Sequence, residues 1–270
     1  MTFPASTPSV ALTIAGSDSG GGAGMHADLR TMNAFGVHGA TAITLLTAQN
    51  TTGIRGVFPV TAEFVSRQID AVLDDLDVRA TKTGMLASPD TIAAVGEFAK
   101  AHRLDNLVVD PVLVDSAGTP LFSPEAVDGY LTRLFPHALV ITPNVAEAEL
   151  LTGIDIVDSV GQRRAAEALA ETGADYIVVK GGGRSGALDA VDVVFDAVTG
   201  DAIELGGDWV DTPNVHGSGC TLAAAITSLL ANGVGPAEAI PRAKTYVDGA
   251  IAGAKAWQLG QGHGPLNHFF

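Results

Sequence analysis

Short, continuously apolar runs alternate along the chain with longer amphipathic stretches. Val10–Ala15, Ala40–Leu46, Val78–Lys82, Asn106–Asp110, Leu139–Thr142 and Tyr176–Lys180 read as strands. Most are apolar throughout rather than alternating, the pattern of parallel strands covered on both faces. Helical patterns lie between them at 24–35, 61–75, 88–101, 123–134, 145–151 and 160–172. Ser88-Pro89 and Ser123-Pro124 make helix openings, with serine as cap and proline in the first turn. Val191–Asp196 and Ala202–Leu205 read as a terminal hairpin turned at Thr199-Gly200-Asp201, and two helices, 217–231 and 236–256, follow. A βαβα order implies an α/β fold with a mostly parallel sheet between helix layers. No linker, repeat or low-complexity tract divides residues 1–270, which predicts a single domain. Ligands in such sheets sit beyond the carboxyl ends of the strands. Gly16–Gly24, Gln49, Gly84-Met85, Asp110, Asn144 and Lys180 all fall there.

Charge narrows the choice of ligand and partner. Thirty acidic residues against fifteen basic give a formal net charge of -15. Such a surface repels nucleic acid and anionic membranes, so neither is an expected partner. An anionic ligand would need local help from backbone N–H groups, a lysine or a metal. The single cysteine, Cys220, excludes an intrachain disulfide and fits a reducing cytosol. Met1–Ser9 lacks the features of a signal peptide, and no apolar run reaches the roughly 18 residues of a membrane helix. The expected location is cytoplasmic.

Four stretches carry candidate chemistry. In Asp211-Thr-Pro-Asn-Val-His-Gly-Ser-Gly-Cys220-Thr, ahead of an apolar helix, Gly217, Ser218 and Gly219 can turn consecutive N–H groups toward one point. With the helix's positive end behind them, they would stabilise a phosphoryl group in flight. Cys220, in that first turn, would have a lowered pKa and could take the proton of an attacking hydroxyl. The plainer reading is a glycine turn opening a buried helix. Ala15-Gly-Ser-Asp-Ser-Gly-Gly-Gly-Ala-Gly24 follows a strand but ends in no Gly-Lys-Ser/Thr, and no acidic residue stands where a dinucleotide fingerprint requires one. It fits the wall of a small-molecule pocket, or a plain flexible turn. Asn144 and Glu147 share a helix face and could hold Mg²⁺ through water, or form a capping box. Lys180, at a strand end before glycines, could neutralise a phosphate or be solvated; Asp110 could meet the metal or the lysine, or simply form a turn. Asp74-Asp75 reads as a solvated helix face, and His102, His137, His263 and His268 follow no metal-ligand spacing. The tail with Trp257 and Phe269-Phe270 packs on the core or on a partner chain.

The ordered set is more specific than its members. Ala-Gly-Ser-Asp-Ser-Gly-Gly-Gly-Ala-Gly (15–24), Ala-Asp-Leu (27–29), Thr-Ala-Gln-Asn-Thr (47–51), Lys-Thr-Gly-Met-Leu (82–86) and Val-Asp-Pro-Val (109–112) come first. Thr-Pro-Asn-x-x-Glu (142–147), Val-Lys-Gly-Gly (179–182) and His-Gly-Ser-Gly-Cys-Thr (216–221) follow. From about residue 10 to 252 the chain resembles the bacterial hydroxymethylpyrimidine/phosphomethylpyrimidine kinases of thiamine biosynthesis. The resemblance implies a ribokinase-like three-layer α/β/α sandwich, a homodimer, and use of ATP with Mg²⁺. It implies phosphorylation of 4-amino-5-hydroxymethyl-2-methylpyrimidine and then of its monophosphate. Gln49 would bind the pyrimidine edge, with Asp28, Met85 and Gly16 lining the pocket. Cys220 would be the base, beside the Gly217, Ser218 and Gly219 amides. Asp110, Asn144, Glu147 and Lys180 would serve metal and phosphates, and Lys244 would lie near the nucleotide. The chain departs from the family pattern at Met25-His26, Leu113, Asp115 and near Trp209-Val210. Asp115 would place negative charge close to a phosphorylated substrate, which weighs against the second transfer more than the first.

Relatives that phosphorylate pyridoxal or pyridoxine are the runner-up, because those rings also carry a hydroxymethyl group and a hydrogen-bonding nitrogen. A sugar or nucleoside kinase of this fold would carry Asp at position 220 and an inserted lid after an early strand; here a short glycine loop joins the first strand and helix. A non-catalytic binding relative would have lost Cys220, Lys180, Asn144 and Glu147, all of which are present.

Overall fold

The computed structural model describes residues 7–114, 123–182 and 191–270; Asp115 and Gly183 lie outside them. The strands are β1 (Val10–Ala15), β2 (His38–Ile43), β3 (Leu45–Asn50), β4 (Gly53–Pro59), β5 (Val78–Thr83), β6 (Val108–Val109), β7 (Val140–Ile141), β8 (Tyr176–Val179), β9 (Asp192–Asp196) and β10 (Ala202–Leu205). The helices are α1 (Gly24–Ala34), α2 (Ala62–Leu73), α3 (Pro89–Lys100), α4 (Pro124–Gly129), α5 (Val145–Thr152), α6 (Ser159–Ala170), α7 (Ser218–Ala231) and α8 (Pro236–Ala254). Eight strands form one sheet in the order β10-β9-β8-β7-β6-β5-β1-β2. Neighbours from β8 to β2 pair parallel, and β9 and β10 close the other edge antiparallel.

Side-chain alternation along the strands separates two cores. Leu12, Ile14, Val109, Ile141, Ile177 and Val179 face α2 to α6, packing with Val65, Ile92, Ala126, Ala148 and Leu169. Ala11, Ala80, Val108, Val140 and Val178 face α1, α7 and α8, packing with Met32, Ile226 and Ala243. Both sheet faces are covered, and the result is the expected α/β/α sandwich with a mostly parallel sheet.

The chain runs from β1 to β2 on one side and then returns to β5 on the other, so the strand order reverses at β1. Helix α7, buried from Thr221 to Ala231, packs across β1, β5 and β6 at that point. Its N-terminus therefore lies at the switch point, where open α/β sheets bind ligands.

Three expectations need correction or refinement. Ala40–Leu46 is not one strand. Thr44 is buried with its N–H on Ala15 O and its hydroxyl on Met85 O, and it turns the chain out of the sheet. Beyond it β3 and β4 form a separate two-stranded flap, so the chain does carry an insertion after an early strand. The 123–134 segment is helical as expected but not α throughout: α4 gives way to a π-helix at Tyr130–Leu134, and a 3₁₀ turn at Phe135–His137 follows, where Pro136 cannot continue the ladder. Strands β6 and β7 are shorter than expected, although hydrogen bonds from Asp110 N to Thr83 O and from Thr142 N to Val109 O carry the pairing past their ends.

Candidate active site

The carboxyl ends of β1, β5, β6, β7 and β8 deliver the candidate residues to one edge, around the tip of α7. Gly217 caps α7 in the left-handed region at φ 88°, and a Cβ there would collide with Gly22 O. Glycine is thus required both by the turn and by the close approach of the 16–24 loop. Ser218 N is not available as expected, because it donates to Val215 O at 3.2 Å. The amides of Gly219 and Cys220 have no hydrogen-bond partner among the described residues and are left open at the helix tip.

On one side of this tip lies a lysine–carboxylate cluster. Lys180 Nζ is 2.9 Å from Asp110 Oδ1, which also accepts from the Thr142 hydroxyl at 3.1 Å. A Cβ on Gly219 would lie 3.1 Å from Lys180 Nζ and 3.9 Å from Asp110 Oδ2, so helix tip, lysine and carboxylate meet. Burial works against the charge on Lys180, but Asp110 and Glu147 outweigh it and hold the ammonium above its ordinary pKa. Glu147 and Asn144 form the capping box: Asn144 N donates to Glu147 Oε2 at 2.8 Å, and Glu147 N to Asn144 Oδ1 at 2.9 Å. Glu147 Oε1 takes Leu113 N at 2.9 Å. Burial raises the Glu147 pKa. Lys244 Nζ sits 3.2 Å from Asp248 and 3.5 Å from Asp192, whose other oxygen accepts from Gly181 N at 3.0 Å. That places Lys244 behind the Lys180-Gly181 turn.

The other side is built from β1, β3 and the glycine loop. Gln49 lies on β3 with its amide nitrogen 3.4 Å from His216 Nε2, one residue before the α7 cap. Burial opposes ionisation of Asp18, but His216 and the amides of Gly20 and Ala23 overcome it and bring its pKa to about 2. Gly16 packs against Leu45, and Met85 is half-buried with its carbonyl on Thr44. Asp28 is fully buried rather than spread on an open wall. Its Oδ2 accepts from Thr13 Oγ1 at 2.6 Å and Lys82 Nζ at 3.1 Å, and its Oδ1 has no partner.

Cys220 lies between the two sides and is partly exposed. The Gly24 amide favours the thiolate, but it is the weakest influence on the sulfur. The expected lowering of its pKa is not observed: burial pushes the thiol up to about 11, against the pull of Lys82 and with the help of Asp28 and Asp110. The helix terminus is outweighed by desolvation and two carboxylates. Lys82, Asp18 and His216 were not singled out from sequence. The available signal was a lysine and an aspartate at positions the apolar pattern marks as buried, Lys82 on β5 and Asp28 on α1. No helix of the described residues is long and apolar enough to cross a membrane.

Residues 18–267 match the family model described as phosphomethylpyrimidine kinase. The hydroxymethylpyrimidine/phosphomethylpyrimidine kinase of Rhizobium meliloti is 49% identical over 96% of this chain and 97% of its own length. The thiamine biosynthesis bifunctional protein ThiED of Geobacter sulfurreducens is 46% identical over 95% of this chain and 51% of its own. Among solved structures, a Bacillus subtilis pyridoxal kinase in complex with ADP superposes with a TM-score of 0.86 at 38% identity, covering 97% of this chain and 98% of that one. Set beside a glycine-capped helix tip flanked by Lys180 and Gln49, these likenesses agree in one conclusion: the chain belongs to the phosphomethylpyrimidine kinase family.

Proposed function

We propose that this kinase transfers the γ-phosphoryl group of ATP to the hydroxymethyl group of 4-amino-5-hydroxymethyl-2-methylpyrimidine, and then to the resulting monophosphate, in thiamine biosynthesis. One observation carries the reading: the unpartnered Gly219 and Cys220 amides open between a lysine on one side and a ring-sized polar edge, Gln49, on the other. Lys180 neutralises phosphate charge, and the α7 tip holds the charge that gathers on the transferring group. Asn144 and Lys244 flank the nucleotide side. The donor set suits a hard divalent cation: Asp110 Oδ2 faces the α7 tip, and each Glu147 oxygen keeps a lone pair beyond its amide bond. Asp110 and Glu147 would hold Mg²⁺, which would screen charge between phosphates. Gln49, Met85 and Gly16 bound the ring site, and Asp28 stays buried, held by Thr13 and Lys82. Cys220 accepts the hydroxyl proton. Its raised pKa makes the thiolate a minor species at neutral pH, so transfer by this route grows with pH.

We read the protein as one cytoplasmic kinase domain acting as a homodimer. The exposed apolar residues Leu46, Ile54, Val57 and Phe58 of the flap support self-association. Pyridoxal is the competing substrate, favoured by the likeness to the Bacillus subtilis pyridoxal kinase. Purified protein given ATP and Mg²⁺ with each ring compound decides between them: kcat/KM is expected to be higher for hydroxymethylpyrimidine, and a clear preference for pyridoxal would overturn the assignment.

A further inference from the structure

Asp18 is almost wholly buried and its carboxylate gathers main-chain donors from its own loop. Gly20 N donates to Oδ1 at 2.8 Å, while Gly22 N and Ala23 N donate to Oδ2 at 3.0 and 2.9 Å. An ionised carboxylate only accepts, so the third group at Oδ2, His216 Nε2 at 2.9 Å, must carry a hydrogen. The imidazole is packed against the glycine loop. A Cβ on Gly22 would lie 2.6 Å from His216 Cδ2, and the His216 backbone is tied to Gly264 O at 3.1 Å.

This fixes what Gln49 can present. Its backbone is clamped by Ser19, whose hydroxyl accepts from Gln49 N at 2.8 Å and donates to Gln49 O at 2.6 Å. Its amide end lies 3.4 Å from His216 Nε2. The one hydrogen on Nε2 is given to Asp18 and can be shared only with a second acceptor, so the amide oxygen, not the NH₂ group, suits that place. With Oε1 turned to His216, the NH₂ group is left for the ring site.

We propose that Asp18 and His216 are positioning residues that set the amide of Gln49 so that it offers a donor, and so select a ring with an unprotonated nitrogen at that edge. The inference rests on the reading of Gln49 as the ring-contacting residue. A ring protonated at that nitrogen presents donor to donor and is disfavoured.

The test pairs kinetics with a tautomer measurement. His216→Phe keeps an aromatic ring and removes the N–H; KM for hydroxymethylpyrimidine should rise about tenfold, with kcat and KM for ATP within about threefold. His216→Gln, which restores an N–H, should recover most of the ring KM. In the ¹⁵N-histidine-labelled wild type, His216, identified by the signal lost in His216→Phe, should show Nε2–H and a bare Nδ1. An Nδ1–H tautomer, or an unchanged ring KM in His216→Phe, overturns the proposal. If the wild type does not phosphorylate hydroxymethylpyrimidine, the functional reading fails instead, and the positioning claim is decided by the tautomer, which needs no substrate.

Discussion

Two lysine–aspartate pairs flank the tip of α7, and they differ in one respect. Lys180–Asp110 is 2.9 Å long with the lysine 13% exposed, whereas Lys82–Asp28 is 3.1 Å long with both side chains at 0%. The open pair borders the α7 tip, so its lysine is within reach of an anion held there. The closed pair is sealed off. Burial should strip Lys82 of its charge, but Asp28 restores it, and the lysine is held above its usual pKa. The sulfur of Cys220 feels both, since Lys82, Asp28 and Asp110 all act on it. The same two residue types thus stand in different settings: one pair borders the tip of α7, and the other is sealed beneath the Cys220 thiol.

Breaking the closed pair should have the largest effect. Lys82→Met leaves the buried Asp28 without its counter-ion, and should cost about 3–5 kcal/mol in urea unfolding. The double variant Lys82→Met/Asp28→Leu should recover most of that loss; no recovery would mean that packing, not charge, dominates the site. Lys180→Met tests the open pair. It should lower kcat/KM for ATP by roughly a hundredfold while costing less unfolding free energy than Lys82→Met. A loss of stability as large as that of Lys82→Met would erase the distinction.

A smaller effect separates the site from its support. His268 is buried against the first turn of α7, with Nε2 3.0 Å from Thr221 Oγ1, and burial and then Arg30 bring its pKa to about 4. Its folded pKa is below the unfolded value of about 6.5. The unfolded chain therefore binds the proton first as pH falls, and the stability His268 contributes is full above about pH 6.5 and lost as pH falls toward 4. At pH 5 the wild type should have lost on the order of 1–2 kcal/mol through this group. Thermal unfolding of His268→Asn should fall less steeply over that range, and parallel slopes would contradict the assignment.

How much of this was legible in sequence follows from how local each signal is. Strands β1 and β8 and helices α3, α7 and α8 read out because their apolar runs are bounded by caps, prolines and glycines. Ser88 does cap α3, with its hydroxyl accepting Thr91 N at 3.2 Å. The flap did not read out. Every residue of β4, Gly53–Pro59, is exposed, so no buried face imposes an alternating pattern. The positions of Gln49, Cys220 and Lys180 at one edge followed from strand order. The pKa of Cys220 did not, because it depends on Asp28, Lys82 and Asp110, which come together only in the folded chain.

Cys220 gives the most direct test. The measurement is kcat/KM for the hydroxymethyl ring from pH 7 to 9.5, in wild type and Cys220→Ala. Wild-type values should climb with pH as the thiolate fraction grows, and the variant should be lower by roughly 10²–10⁴ and nearly flat. A variant with wild-type turnover and the same pH profile would contradict the account.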